Sequence, residues 1–229
     1  YPFIKNKIVA AIAIIYLLWF CFLSFRQTKV WHDNITLYTA AIDNGYKAAI
    51  IYNNRGAAFS EMKNYESALK DFASLVELKP RYPNGWKNKA VIHEQLKQRK
   101  EAIISYTEAI KYYPDDYKNY SGRGAQYELL NDFQKAIADY TKVIELMPKL
   151  PDGYYLRSEA LGKNGKLDEA FADINQAILL KPDYAEAFNN RGIINSMSGR
   201  YQDAINDFTK SLRLNPDNSS AYTNRALSY

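Results

Sequence analysis

Apolar side chains in this chain return in two short helical bursts, and the pair of bursts repeats every 34 residues from residue 49 onward. In the first unit Tyr52, Arg55, Gly56 and Phe59 are spaced so that they share one face of a helix. Ala68, Phe72, Leu75 and Val76 do the same on a second helix. Between them Met62, Lys63, Asn64 and Tyr65 predict a tight helix–helix turn. Pro80 closes the unit, because proline lacks an amide hydrogen and restricts the residue before it. Pro80, Pro114, Pro148, Pro182 and Pro216 keep the period, as do the aromatic series Tyr52, Trp86, Tyr120, Tyr154, Phe188 and Tyr222 and the small series Ala68, Ala102, Ala136, Ala170 and Ala204. One such hairpin cannot bury its apolar face alone, so the pattern predicts stacked units.

The order aromatic, two residues, Arg-Gly, two residues, aromatic, then Ala, three residues, Phe, then Pro reads here as Tyr52, Arg55, Gly56, Phe59, Ala68, Phe72 and Pro80. It resembles the tetratricopeptide repeat. Departures are mild: Ala90 and Ser158 replace the glycine, and His93, Leu161 and Asn195 replace the second aromatic. The resemblance implies an all-α fold, a right-handed solenoid of helix-turn-helix repeats. Repeats are expected at 49–82, 83–116, 117–150, 151–184 and 185–218, with a truncated sixth at 219–229 and a partial leading one, its second helix only, at 31–48.

Where the family often has leucine, this chain has Arg55, Lys89, Arg123, Arg157, Arg191 and Arg225. Sixteen residues later come Asp71, Ser105, Asp139, Asp173 and Asp207, and the repeat with lysine is the one with serine. That matching predicts a structural ladder, each arginine laying its fork on an aspartate of the second helix. The alternative is a row of arginines for an anionic ligand.

Residues 8–25 contain no charge and would rise ~27 Å as a helix, close to a bilayer core. They predict a transmembrane helix ahead of the solenoid. A cleaved signal peptide or a buried helix are the alternatives; no small-x-small site follows, and the stretch is apolar on every face. Basic residues flank both ends, so the side of the membrane carrying the repeats stays open. The four basic side chains of residues 1–30 also account for most of the net charge of +5. The basic balance is therefore no argument for nucleic acid, and none is expected as a partner.

Arg26, Val30, Trp31, Asp33, Leu37, Tyr38, Asn53, Asn54 and Gly56 carry a second, looser resemblance. The segment is similar to the junction of last span and repeats in multi-spanning glycosyltransferases of the protein O-mannosyltransferase-like type. That resemblance implies catalytic carboxylates upstream of this chain, a lipid-linked sugar donor and extracytoplasmic repeats acting as an acceptor-binding tail. The first residue is Tyr1, and the last, Tyr229, stands midway through an expected helix, so a piece of a longer protein is expected.

No catalytic constellation, cofactor motif or metal-ligand set can be assembled. His93 falls on a core-facing position, and Cys21 is alone within the apolar stretch. Carboxylates read as scattered over solvated faces. What stacked hairpins offer instead is a concave groove lined by first helices, suited to a peptide or partner protein. Asn54, Asn88, Asn190 and Asn224 precede the arginines and should face it, with Gly122 and Leu156 interrupting; Asn53, Lys87 and Asn189 stand beside them. Asparagine amides both donate and accept, a sequence-tolerant way to hold a strand, although they are also ordinary at helix starts. The lysine-rich clamp by which some family members hold a carboxylate tail is not expected, because Val91, Gly122 and Asp152 occupy its positions. Asn34, Asn119 and Asn218 each begin a glycosylation sequon.

Overall fold

The computed structural model describes residues 15–21 and 34–229, and among these every regular element is an α-helix. The chain divides into two compact units, Tyr1–Leu96 and Lys97–Tyr229. The first holds α1 (Asn34–Asp43), α2 (Ala49–Glu61), α3 (Tyr65–Leu78) and α4 (Gly85–Gln95), each packed on the next. The second holds α5 (Arg99–Tyr112), α6 (Tyr117–Leu129), α7 (Phe133–Leu146), α8 (Pro151–Lys163), α9 (Leu167–Leu180), α10 (Ala185–Met197), α11 (Tyr201–Leu214) and α12 (Ser219–Leu227). Its helices also pack in chain order, and α8, α10 and α12 touch in succession as neighbouring first helices.

The 34-residue apolar pattern is what fills the interior. In the first unit Tyr52, Ala68, Phe72, Leu75 and Ile92 form a buried cluster; in the second, Leu161, Ala170, Ile174, Ala177, Tyr184, Ala187 and Ile194 form the larger of two. Close approach depends on glycine at one position of the first helix. A Cβ on Gly192 would stand 2.6 Å from the Phe208 ring, and one on Gly124 would stand 2.8 Å from the Tyr140 ring. A real Cβ does not fit there.

The turns within the hairpins share one geometry. Lys63, Lys97, Asn131, Gly165 and Gly199, again 34 apart, all have positive φ between 57° and 79°. The first helix ends in a left-handed residue whose N–H and the next N–H return to the last carbonyls, as Lys63 to Ser60 and Asn64 to Phe59. Where the following residue is Asn64 or Asp132, its side chain also caps the second helix, accepting from the Ser67 or Lys135 amide.

Residues 15–21 are helical, and Ile15 through Phe20 are exposed. Among the described residues no helix is long and apolar enough to cross a membrane. Most of the span expected at 8–25 lies outside the described residues, as do Trp31, His32 and Asp33 of the expected leading repeat.

Candidate functional site

Four arginines of the ladder, Arg55, Arg123, Arg157 and Arg191, each make a two-point contact with the aspartate sixteen residues on. Arg55 donates from Nε to Asp71 Oδ2 at 2.8 Å and from Nη2 to Oδ1 at 2.7 Å. Arg123 meets Asp139 at 2.9 and 2.7 Å, Arg157 meets Asp173 at 2.6 and 2.8 Å, and Arg191 meets Asp207 at 3.0 and 2.6 Å. The aspartates are buried and the arginines half-buried. The carboxylate hydrogen bond raises the Arg55, Arg123 and Arg157 guanidinium pKa against the opposing effect of burial. These arginines are committed to the fold, so an anionic ligand on them would have to displace a buried carboxylate.

The third guanidinium nitrogen carries a contact that the sequence reading overlooked. Nη1 of Arg55, Arg123 and Arg157 donates at 3.1 Å to Thr39, Thr107 and Thr141, each sixteen residues earlier. Arg191 reaches Asn175 Oδ1 at 2.8 Å, and Arg225 reaches Thr209 at 3.4 Å. One arginine thus fastens the second helix of its own repeat and that of the preceding one. The corresponding residue before Lys89 is Ala73, so the signal was present in the sequence: the repeat without arginine also lacks its hydroxyl acceptor. Asn195 extends the contact in the last full repeat, donating to Asp207 Oδ2 at 2.9 Å and accepting from Arg200 at 2.8 Å. At this aromatic position the buried Asn195 is held by hydrogen bonds on both ends of its amide.

The asparagines expected in the groove divide into two sorts. Asn88 Nδ2 donates to Asn53 Oδ1 at 3.3 Å, and Asn224 Nδ2 donates to Asn189 Oδ1 at 3.4 Å. These are the same rung, 35 residues apart, seen once in each unit. Both rungs join the first helices of adjacent repeats, and all four residues remain half-buried. Lys87 lies beside the first rung on α4 and is also half-buried.

Asn54 and Asn190 behave differently. Asn54 Nδ2 donates to the Tyr38 hydroxyl at 3.3 Å, while Asn190 is only 9 % exposed and donates to Ser158 Oγ at 3.4 Å. Ser158, fully buried where the repeat usually has glycine, brings its own hydroxyl for the Asn190 amide. Gly122 is not a gap in an asparagine row. A Cβ there would stand 2.3 Å from Tyr106 Cζ, so the ring of the preceding second helix requires it.

Carboxylates are not merely scattered. On the first-helix side of the second unit, Lys163 Nζ is held between Glu128 Oε1 at 2.5 Å and Glu159 Oε1 at 2.7 Å. Glu128 Oε2 also accepts from the buried Tyr140 hydroxyl at 3.1 Å. For Lys163, burial opposes the charge, but the two glutamates outweigh it and raise the pKa. Tyr155, with its ring centroid 5.3 Å from that of Tyr184, is pushed up to about 12 by burial and then by Glu159 and Glu186. Tyr184 donates to Asp152 Oδ1 at 2.8 Å and is also raised, by burial first. Two depressions of about 240 and 290 Å³ open here, with Tyr155 in the wall of both. A smaller group in the first unit, Asn53, Tyr82, Pro83, Asn84 and Asn88, lines another.

Among the described residues no cluster of His, Cys, Asp and Glu is arranged to hold a metal ion. Of the sequons, Asn119 is 2 % exposed and its Oδ1 has no hydrogen-bond partner, so a glycan there would require unfolding. Asn218 caps α12 by accepting from the Ala221 amide.

Three tetratricopeptide repeat family models match the chain, one at 49–82, 118–150 and 151–184, one at 83–116 and one at 185–218. The heat shock protein sti1 homolog of Schizosaccharomyces pombe is 38% identical over 66 residues, 28% of this chain. The match spans 11% of that protein's length. Among solved structures, YrrB, a TPR protein with an unusual peptide-binding site, overlays with a TM-score of 0.69 at 21% identity, over 82% of this chain and 97% of that one. MamA from residue 41 to its end, from Desulfovibrio magneticus RS-1, overlays at 0.69 with 18% identity, over 75% of this chain and 97% of that one. At these identities the structural likeness speaks for the fold.

Proposed function

Because this chain belongs to the tetratricopeptide repeat family, we propose that it is a protein-interaction scaffold whose first-helix faces hold an extended segment of a partner protein. The observation that carries this reading is the asparagine rung repeated in both units, Asn53 with Asn88 and Asn189 with Asn224. Each rung uses only part of the capacity of its amides, which can make up to four hydrogen bonds each. The remainder suits a peptide backbone, whose donors and acceptors alternate in the same way. The peptide-binding site described for YrrB, on the same fold, is in keeping with this use.

The test is selection of peptides from a random display library on the full chain, followed by affinity measurement on Asn88→Ala and Asn189→Ala. Losing one hydrogen bond of ordinary strength should weaken the selected peptides by about 3–10-fold, with the melting temperature nearly unchanged. Unaltered binding by both variants removes the rungs from the site.

Membrane attachment through residues 8–25 is a second reading, favoured by the helical, outward-facing apolar side chains of residues 15–20. Apolar surface of this kind on a basic-flanked segment suits a lipid environment. Extraction is the check: the full chain should sediment with membranes at high pH and require detergent, and a chain lacking residues 1–30 should not. Release of the full chain by salt alone sinks this reading.

A further inference from the structure

We propose that the first-helix face of the second unit, centred on Tyr155, takes a partner segment in which an arginine or lysine stands beside an apolar residue. This rests on the scaffold reading and names the chemistry of the segment.

The charge at this face is not that of the unit around it. Residues 97–229 hold 18 basic and 18 acidic side chains. Yet the charged residues lining the two depressions that meet at Tyr155 are Asp152, Glu159 and Lys163, and Lys163 is paired to Glu128. Around Tyr155 the count is therefore three carboxylates to one ammonium, with Glu128 and Glu159 on Lys163 and Asp152 on Tyr184. Glu186 adds to the same negative field, since it raises the phenol pKa of both Tyr155 and Tyr184.

Lys163 shows what the site accepts. Its ammonium sits between carboxylates from two different repeats, at 2.5 and 2.7 Å, although its own side chain is 47% exposed and stands in the last turn of α8. A flexible, half-exposed lysine can swing out without unfolding a helix. It would leave Glu128 and Glu159 converging with no cation between them. An incoming guanidinium or ammonium replaces that contact from outside, the planar guanidinium with better geometry.

Apolar surface lies alongside. Ile193 and the exposed Met197 follow each other by one turn on α10 in the wall of the first depression. Methionine is unbranched and adapts to whatever apolar side chain it meets. The same field disfavours an acidic segment, because carboxylates brought against Glu159 would be repelled.

The experiment uses the full chain and fluorescence anisotropy with two labelled, terminally blocked peptides. One carries arginine and leucine on a glycine–serine background; its counterpart has glutamate in place of arginine. The arginine peptide should bind at least about tenfold more tightly, and its affinity should fall as salt rises through the screening range. Glu159→Gln should weaken it about threefold. Lys163→Ala should strengthen it by a similar factor, because a competing cation is gone. Strengthening cannot come from a damaged fold, which would weaken binding. Equal affinity for the two peptides, or a Lys163→Ala variant that binds the arginine peptide no better, overturns the proposal. If display selection on the same protein then returns acidic or neutral peptides, the scaffold reading stands while the basic segment falls. If neither labelled peptide binds, the proposal is overturned, and an empty display selection removes the scaffold reading as well.

Discussion

Arg157 and Asp173, sixteen residues apart, meet fork to fork, Nε to Oδ2 at 2.6 Å and Nη2 to Oδ1 at 2.8 Å, while Nη1 reaches back to Thr141 at 3.1 Å. A single side chain therefore holds three helices of two repeats. The cost of burying the pair makes its net contribution modest, but breaking it leaves a buried carboxylate without its cation.

Arg157→Ala or Asp173→Ala should therefore lower stability by about 3 kcal/mol, the usual penalty for orphaning one member of a buried pair. Thr141→Ala should cost about 1 kcal/mol in the native background and much less once Arg157 is gone, since the two share one contact. Chemical denaturation of the single and double variants measures both. Additive losses would show that the threonine acts independently of the arginine.

The turn geometry gives an opposite expectation. Lys63 is left-handed at φ 59°, where a Cβ is strained, whereas Gly199 takes the same place at φ 72° without one. Lys63→Gly should stabilise the protein by about 0.5–1 kcal/mol, after allowance for the extra freedom glycine gains on unfolding. Gly199→Ala should destabilise it by about 1 kcal/mol. Thermal melts on the two variants should move in opposite directions, and a shared direction would remove backbone strain as the cause.

Much of this was legible because a repeat compares a chain with itself. The arginine–aspartate spacing could be read from the one repeat in which lysine and serine replace both members, Lys89 and Ser105. The threonine contact carried an equal signal in Ala73, but it runs backwards across the proline that closes each unit. The asparagines were harder. Asn190 and Asn88 look alike in register, yet Ser158 beneath Asn190 draws that amide inward, and only packing reveals it. The Lys163 site was illegible for a similar reason. Glu159 lies one helical turn away, a common exposed pair, but Glu128 comes from the previous repeat and turns a surface ion pair into a convergent one.

Two glycines test the packing argument on neighbouring first helices. A Cβ on Gly192 would press into the Phe208 ring at 2.6 Å, whereas one on Gly162 meets nothing within 4 Å. Gly192→Ala should cost about 1–3 kcal/mol through forced repacking. Gly162→Ala should add up to about 1 kcal/mol, since alanine favours helix. Equal effects in urea denaturation would mean that the ring yields more readily than its burial implies.

Alkaline pH should unfold the second unit through its tyrosines. Burial, followed by Glu159 and Glu186, lifts Tyr155 from its ordinary 10 to about 12, and burial lifts Tyr140 and Tyr184 further. A raised folded-state pKa means that the native protein holds a proton which the unfolded chain releases. The stability linked to these phenols is therefore complete below pH 10 and falls as pH rises through 10 toward 12 and beyond. Their titration should add no pH dependence to stability at neutral or acidic pH. Tyrosinate absorbance recorded beside helical circular dichroism provides the measurement: ionisation of the buried phenols should coincide with loss of helix, and Tyr155→Phe should make the fall above pH 10 shallower. If these phenols ionise near pH 10 with the helices intact, the combination of partial burial and nearby Glu159 and Glu186 does not hold the Tyr155 proton.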